Sequence, residues 1–135
     1  PTESQWEYAC RAGTTTAYSW GATIAAGNAN FHASGINQTR DVGQYAANPW
    51  GFFDMHGNVR EWTADRHQAA YPTGNPVVDP TGPASGSDRV RRGGSWWSTA
   101  DIARSADRYG DSPAFIYNSI GFRLSLRTLT GKAEP

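Results

Sequence analysis

Patterned stretches in this chain are short, and glycine or proline interrupts each of them. Only one segment reads clearly as helix. Thr2 and Gln5 fit a capping box, and Trp6, Ala9 and Cys10 then recur at helical spacing up to Gly13. That predicts a helix over about residues 3–12. Strand signals gather later. Asn58 to Thr63 alternates, and Arg89 to Trp96 is a second strand whose Gly93 and Gly94 predict a bulge or a close backbone approach. Ile120, Phe122, Leu124 and Leu126 alternate strictly with Gly121, Arg123, Ser125 and Arg127, the best strand pattern in the chain. Residues 14–48 and the Pro/Gly/Ser stretch between Trp62 and Arg89 (Pro72, Gly74, Pro76, Pro80, Gly82, Pro83, Gly86) read as loop, and residues 128–135 as a frayed tail. Such a pattern predicts an α+β domain with a small antiparallel sheet, few helices and much loop. Trp6, Trp20, Trp50, Trp62 and Trp96 are expected to fill its core.

Size and charge narrow the function. With 135 residues the chain is one domain, expected to span residues 1–127. Its 12 basic and 12 acidic residues cancel, so no basic footprint for nucleic acid or an anionic membrane exists. No apolar run approaches the roughly 20 residues of a membrane span. The single cysteine, Cys10, excludes an intrachain disulfide, a zinc cluster built on thiolates and a two-thiol redox centre. A bacterial cytoplasmic location is expected, with surface display open if an upstream signal exists. The abrupt start at Pro1 leaves upstream domains open as well.

Four motifs in order carry a resemblance. They are Pro1-Thr2-Glu3-x-x-Trp6-Glu7-Tyr8-Ala9; Asn48-x-x-Gly51-x-x-Asp54-Met55-x-Gly57-Asn58-Val59-x-Glu61-Trp62; Arg92-Gly93-Gly94-Ser95-Trp96; and Gly121-Phe122-Arg123. Together the chain resembles the formylglycine-generating-enzyme (sulfatase-modifying factor) family. The resemblance implies a variant of the C-type lectin fold. It also implies two copper-binding cysteines just after the Gly-Gly-Ser strand, but those places hold Ser98 and Ala103 here. Neither supplies the soft thiolate that Cu(I) requires. The expectation is therefore a non-catalytic ligand-binding module that requires no cofactor; the alternatives are a variant enzyme of the same family that uses other residues, or a recognition domain of a larger bacterial signalling protein.

Residues 97–119 mix regular and irregular positions. Ala103 to Ala106, Arg108 and Pro113 match the family. Thr99, Asp101, Ile102, Asp107, Tyr109, Gly110, Asp111, Ser112, Ala114, Phe115, Ile116, Tyr117, Asn118 and Ser119 look arbitrary. This layout resembles the variable region of diversity-generating-retroelement target proteins, whose mutator randomises adenines, typically in Asn codons. Residues unreachable from such codons are Lys, Glu, Gln, Met and Trp, and none occurs at the irregular positions. Trp97 and Ser98 join the set if Trp97 derives from an Arg codon. The expected ligand-binding residues are thus Trp97, Ser98, Thr99, Asp101, Ile102, Asp107, Tyr109, Asp111, Ser112, Phe115, Ile116, Tyr117 and Asn118. Tyr and Trp among Ser, Gly, Asp and Asn is a paratope-like composition, suited to an unidentified protein or other macromolecular ligand.

The remaining constellations have bland alternatives. The resemblance implies a calcium site at Asn58, the Val59 carbonyl and Glu61, oxygen donors that suit a hard cation. The alternative is that Asn58 shapes a turn and Glu61 pairs with an arginine. A second calcium site would begin at Asn30 and Phe31, though its acidic partner loop is short here. His32, His56 and His67 are not expected to form a transition-metal site, and His56 reads as a loop side chain. Ser95 lacks the Gly-x-Ser-x-Gly elbow of a nucleophile and reads as a strand residue. Asp101, Asp107 and Asp111 read as solvated loop acids. Tyr109 and Tyr117 are expected exposed, Phe115 either exposed or packed under the loop. Arg104, Arg108 and Arg123 are expected to tie the loops to the scaffold.

Overall fold

The computed structural model describes residues 1–70, 78 and 80–126. Pro72, Gly74, Pro76, Arg127 and the 128–135 tail lie outside the described residues. Helix α1 (Glu3–Arg11) begins as its sequence requires. Gln5 N–H donates to Thr2 Oγ1 at 3.3 Å and Thr2 N–H to Gln5 Oε1 at 3.1 Å. A further free helix N–H, that of Glu3, donates to Asp65 Oδ2 at 2.6 Å, which fastens the helix entrance to the sheet. The helix stops one residue earlier than expected, at Ala12 in the left-handed region (φ 48°) ahead of Gly13.

Four strands follow: β1 (Arg60–Arg66), β2 (Arg89–Arg92), β3 (Arg108–Asp111) and β4 (Ile120–Gly121). They form one sheet in the order β3-β2-β1-β4. β1 pairs with β2, and β2 with β3, antiparallel; β4 runs parallel to β1. Two rows of side chains follow from the register. Glu61 lies opposite Arg92 and Arg92 opposite Arg108; Trp62 lies opposite Arg91 and Arg91 opposite Tyr109. Neighbouring rows point to opposite faces.

The first row meets α1. Arg92, whose side chain is 0% exposed, pairs with Glu7 and lies 3.5 Å from Glu3. Arg108 forks onto Glu3 through two bonds of 2.7 Å. Trp6 donates its indole N–H to Glu61 at 2.7 Å, and Arg123 grips the same carboxylate at 2.5 and 2.6 Å. Trp6, Cys10 and Met55 form the apolar centre beside this network.

Two expectations change. Of the five tryptophans assigned to the core, only Trp6 is fully buried; Trp20 and Trp50 are exposed, and Trp62 and Trp96 are partly covered. The strand expected over 120–126 shrinks to two residues, and Phe122, Leu124 and Leu126 are 72, 87 and 104% exposed. Alternation yields a half-buried strand only where something covers its apolar face, and among the described residues nothing covers theirs. His56 lies in a loop as expected, but its ring is buried. Its Nδ1–H donates to the Ala103 carbonyl at 2.8 Å and its Nε2 accepts from Ser19 N–H at 3.2 Å. The rings of Tyr18 and Trp20 pack edge-on against it at 5.5 and 4.8 Å.

The loops are stapled by backbone contacts. Asn58 N–H donates to the Asn30 carbonyl, and Gly57 N–H to that of Gly93, both at 2.7 Å. A Cβ on Gly57 (φ 94°) would stand 2.3 Å from the Asn30 oxygen. Gly57→Ala is therefore expected to cost at least about 2–4 kcal/mol in urea unfolding, from strain and the broken staple together. Burial lowers the His56 pKa below 6.5, partly opposed by the bond to Ala103. The unfolded chain takes up a proton near 6.5 that the folded one refuses. Stability is then complete above that pH and falls as pH drops below it. Denaturation midpoints across this range should show the loss in the natural chain and lack this component in His56→Gln.

Candidate functional site

The second row of the sheet builds a cleft. Arg60 and Trp62 alternate on β1, Arg91 sits on β2 and Tyr109 on β3. The Arg91 guanidinium lies between two rings, 5.4 Å from the centre of Trp62 and 5.3 Å from that of Tyr109. Arg60 lies 5.4 Å from the centre of the same Tyr109 ring. Above this layer the chain from Ser95 to Trp97 and from Tyr117 to Ser119 forms the walls. The cleft has a volume of about 570 Å³ and is lined by Ser95, Trp96, Trp97, Tyr117, Asn118 and Ser119 together with Arg60, Arg91, Tyr109 and Asp111.

Five residues of the expected ligand-binding set converge here: Trp97, Tyr109, Asp111, Tyr117 and Asn118. Trp97, Tyr109 and Tyr117 are each more than half exposed, and the Phe115 and Tyr117 rings lean together at 5.8 Å. Phe115 takes the exposed alternative, and Ile116 stands at 95% exposure. Thr99, Asp101 and Ile102 lie apart from the cleft, on the 3-10 turn Asp101–Ala103 and the residues before it. Thr99 Oγ1 donates to Asp101 Oδ1 at 2.6 Å, and this bond lowers the Asp101 pKa. Ser112 donates its N–H to Asp111 Oδ1 behind the lining.

Other assignments need correction. Ser98 is buried, its hydroxyl accepting from Ser95 N–H at 2.9 Å, so it holds the turn rather than meeting a ligand. Asp107 and Asp111 are not solvated loop acids. Asp111 pairs with Arg91, and Asp107 lies 3.9 Å from Arg60 while its carbonyl accepts from Arg92. Burial raises the Asp107 pKa, and Arg60 opposes that shift. Gly110 is constrained: a Cβ there would stand 2.2 Å from the His67 ring. Arg60, Arg91, Ser95, Trp96 and Ser119 escaped the expected set, Ser119 although it is one of the irregular positions. The two-residue spacing of Arg60 with Trp62 and of Arg89 with Arg91 was the available signal.

The metal expectations meet a donor set already engaged. Asn58 Oδ1 accepts from Asn30 Nδ2 at 3.1 Å and from Arg40 N–H at 2.9 Å. Both Glu61 oxygens face Arg123, and one also takes the Trp6 indole. Donors that point N–H groups at these oxygens do not fit a cation at Asn58, Val59 and Glu61. Asn58 takes a left-handed conformation (φ 62°), the turn-shaping alternative. Asn30 is likewise tied, its Oδ1 accepting from Ser34, while Phe31 packs in the interior. At the copper positions, the Ala103 methyl packs 3.2 Å from where a Gly94 Cβ would stand, and Ser98 is hydrogen-bonded as above. Among the described residues, no cluster of three or more His, Cys, Asp or Glu side chains is arranged to hold a metal.

One pair has the composition of a nucleophile and its base. Cys10 Sγ lies 3.5 Å from His56 Nε2, with Ser105 Oγ at 3.6 Å. Its environment is wrong for that role. Cys10 is fully buried, and burial pushes its pKa up to about 12. A thiol so held is neither nucleophile nor soft ligand at neutral pH. Iodoacetamide at neutral pH should leave Cys10 unmodified in the folded protein and alkylate it fully in denaturant, read by intact mass.

Comparison with known proteins agrees with this architecture. Residues 1–128 match the Sulfatase-modifying factor enzyme 1-like domain. The formylglycine-generating enzyme of Streptomyces coelicolor is 34% identical over 91% of this chain and 45% of its own length. The serine/threonine-protein kinase pkn1 of Chlamydia caviae is 40% identical over 91% of this chain, which spans 20% of that kinase. Among solved structures, Treponema denticola variable protein 1 superposes with a TM-score of 0.82 at 35% identity, over 90% of this chain and 45% of that one. PvdO from Pseudomonas aeruginosa gives 0.78 at 30% identity, over 90% and 49%. The chain thus spans less than half the length of each of these four relatives.

Proposed function

The chain belongs to the sulfatase-modifying factor enzyme 1-like family, and on that premise we propose that it is a non-catalytic binding module whose ligand surface is the cleft and rim formed by residues 97–119. The observation that carries the reading is the separation of the sheet's two faces. One face is locked to α1 by buried ion pairs, while the other presents exposed Trp97, Tyr109 and Tyr117 around a cleft. Residues that touch little can change without cost to the fold. Large rigid rings among small polar groups provide contact area at low entropic cost. The likeness to Treponema denticola variable protein 1 supports a diversified surface in the manner of retroelement target proteins. The lone, buried Cys10 speaks against the copper chemistry of the formylglycine-generating relatives. The likeness to the chlamydial kinase favours a second context, in which the same surface recognises a partner for a larger signalling protein.

Three measurements test this. The locus should contain a near-copy of the 97–119 coding segment with adenines at the irregular codons; without one, the diversification part fails. Copper-loaded protein incubated with a Cys-containing sulfatase peptide should produce no aldehyde, and turnover would overturn the non-catalytic reading. Tyr117→Ala should leave the unfolding free energy within about 0.5 kcal/mol of the natural chain, as expected for a rim residue.

A further inference from the structure

The segment after β4 is an unfinished strand, and we infer that a second copy of this chain completes it: two copies pair antiparallel through residues 122–126 about a twofold axis at Leu124. The inference goes beyond the binding reading and does not rest on it.

It starts from what the fold leaves open. β4 is the edge of the sheet and pairs with β1 only as far as Glu61 opposite Gly121. Further along β1, Ala64 N–H donates to the Pro1 carbonyl at 2.9 Å, so that edge is taken. Among the described residues, the backbone of 123–126 makes no backbone hydrogen bond. An edge in that state is a template for another strand. The segment is anchored at its start, because Arg123 grips Glu61 and donates to the Phe53 carbonyl at 3.0 Å. Two grooves of about 370 and 540 Å³ flank it, and Phe52 and Arg123 line both.

The exposed area matches an interface. Phe52 and Phe53, 40 and 47% exposed, adjoin Phe122, Leu124 and Leu126 in one apolar face. At about 200 Å² for an open large side chain, the five present roughly 700 Å². That is more than the largest apolar patch of a typical monomer, about 300–600 Å², and close to the roughly 800 Å² that each partner buries in a stable complex.

The sequence of the segment selects a second copy as the occupant. Read antiparallel against itself, Phe122-Arg123-Leu124-Ser125-Leu126 sets Leu124 opposite Leu124 and Phe122 opposite Leu126. Apolar residues meet on one face, and on the other Arg123 meets Ser125, so no two arginines stand opposed. A slip of one residue would set Arg123 against Leu124 and Phe122 against Ser125, mismatching both faces. The contact uses the same patch on both copies and therefore closes at two. No residue of either groove lines the cleft, so the dimer carries two open clefts.

Sedimentation velocity on the 135-residue chain should give twice 14.6 kDa in the micromolar range, with dissociation on dilution. Leu124→Lys puts like charges face to face on the axis and should weaken the dimer at least about tenfold. Phe122→Lys and Leu126→Glu should each weaken it as well. Combined in one chain they should restore part of the affinity, since position 122 of one copy faces position 126 of the other. Near-ultraviolet circular dichroism and protection of Cys10 from alkylation establish that each charge variant is folded. Leu124→Cys should cross-link to its own copy under mild oxidation, without competition from the buried Cys10. A chain that stays monomeric throughout this range overturns the inference and leaves the face to a different polypeptide. A dimer indifferent to Leu124→Lys, a charge pair without rescue, or open-ended aggregates in place of a dimer overturn it too.

Discussion

The Arg92 guanidinium is the contact on which the rest of the structure depends. It is fully enclosed, pairs with Glu7, approaches Glu3, donates to the Asp107 carbonyl and lies 5.4 Å from the centre of the Trp6 ring. Through it β2 is bound at once to the helix and to the segment leading into β3. Arg108 on Glu3 and Arg123 on Glu61 extend the same scheme to β3 and to the chain after β4. A buried ion-pair network adds little net stability compared with a well-packed apolar core. Losing one partner, however, costs about 3–5 kcal/mol, because it leaves a charge unmatched. Such a network therefore fixes the position of the helix on the sheet more than it stabilises the fold.

That fixity gives the opposite face its use. A helix and an ionic layer hold one side of the sheet, so the other side need not be covered to keep the strands in place. Arg60, Trp62, Arg91 and Tyr109 stack there as alternating cations and rings. The residues at 97 and 117–119 wall the cleft above them. The thiol and imidazole that chemistry would want are buried on the inside, neutral and enclosed, where they serve packing. The architecture separates a locked interior from a presentable surface.

Much of the scaffold was legible from local rules. The capping box at Thr2 and Gln5, the break near Gly13 and the close approach at Gly93 and Gly94 each rest on a few neighbouring residues, and all are present. The irregular stretch also led to five residues of the cleft. What failed did so for a common reason. Tryptophan identity does not say which ring is enclosed, so Trp20 and Trp50 were misplaced. Strict alternation at 120–126 says that a strand could be half buried, not that a covering layer exists. Asp107 and Asp111 looked solvated because their arginine partners lie at least 20 positions away in sequence or across a sheet register.

The sequence by itself determined the helix, its cap, the family motifs and the lack of paired thiols, because each depends on residue type and short spacing. Only the tertiary structure decided which face of each strand looks inward. It took Ser98 out of the ligand set by burying it and constrained Gly110 through the His67 ring. It also brought Arg60 and Arg91 to one cleft, each beside an aspartate, and left the face of Phe122, Leu124 and Leu126 uncovered. Whether a charge or an apolar face finds a partner is a property of surroundings assembled from distant segments, and no local pattern of residues encodes what will be left without one.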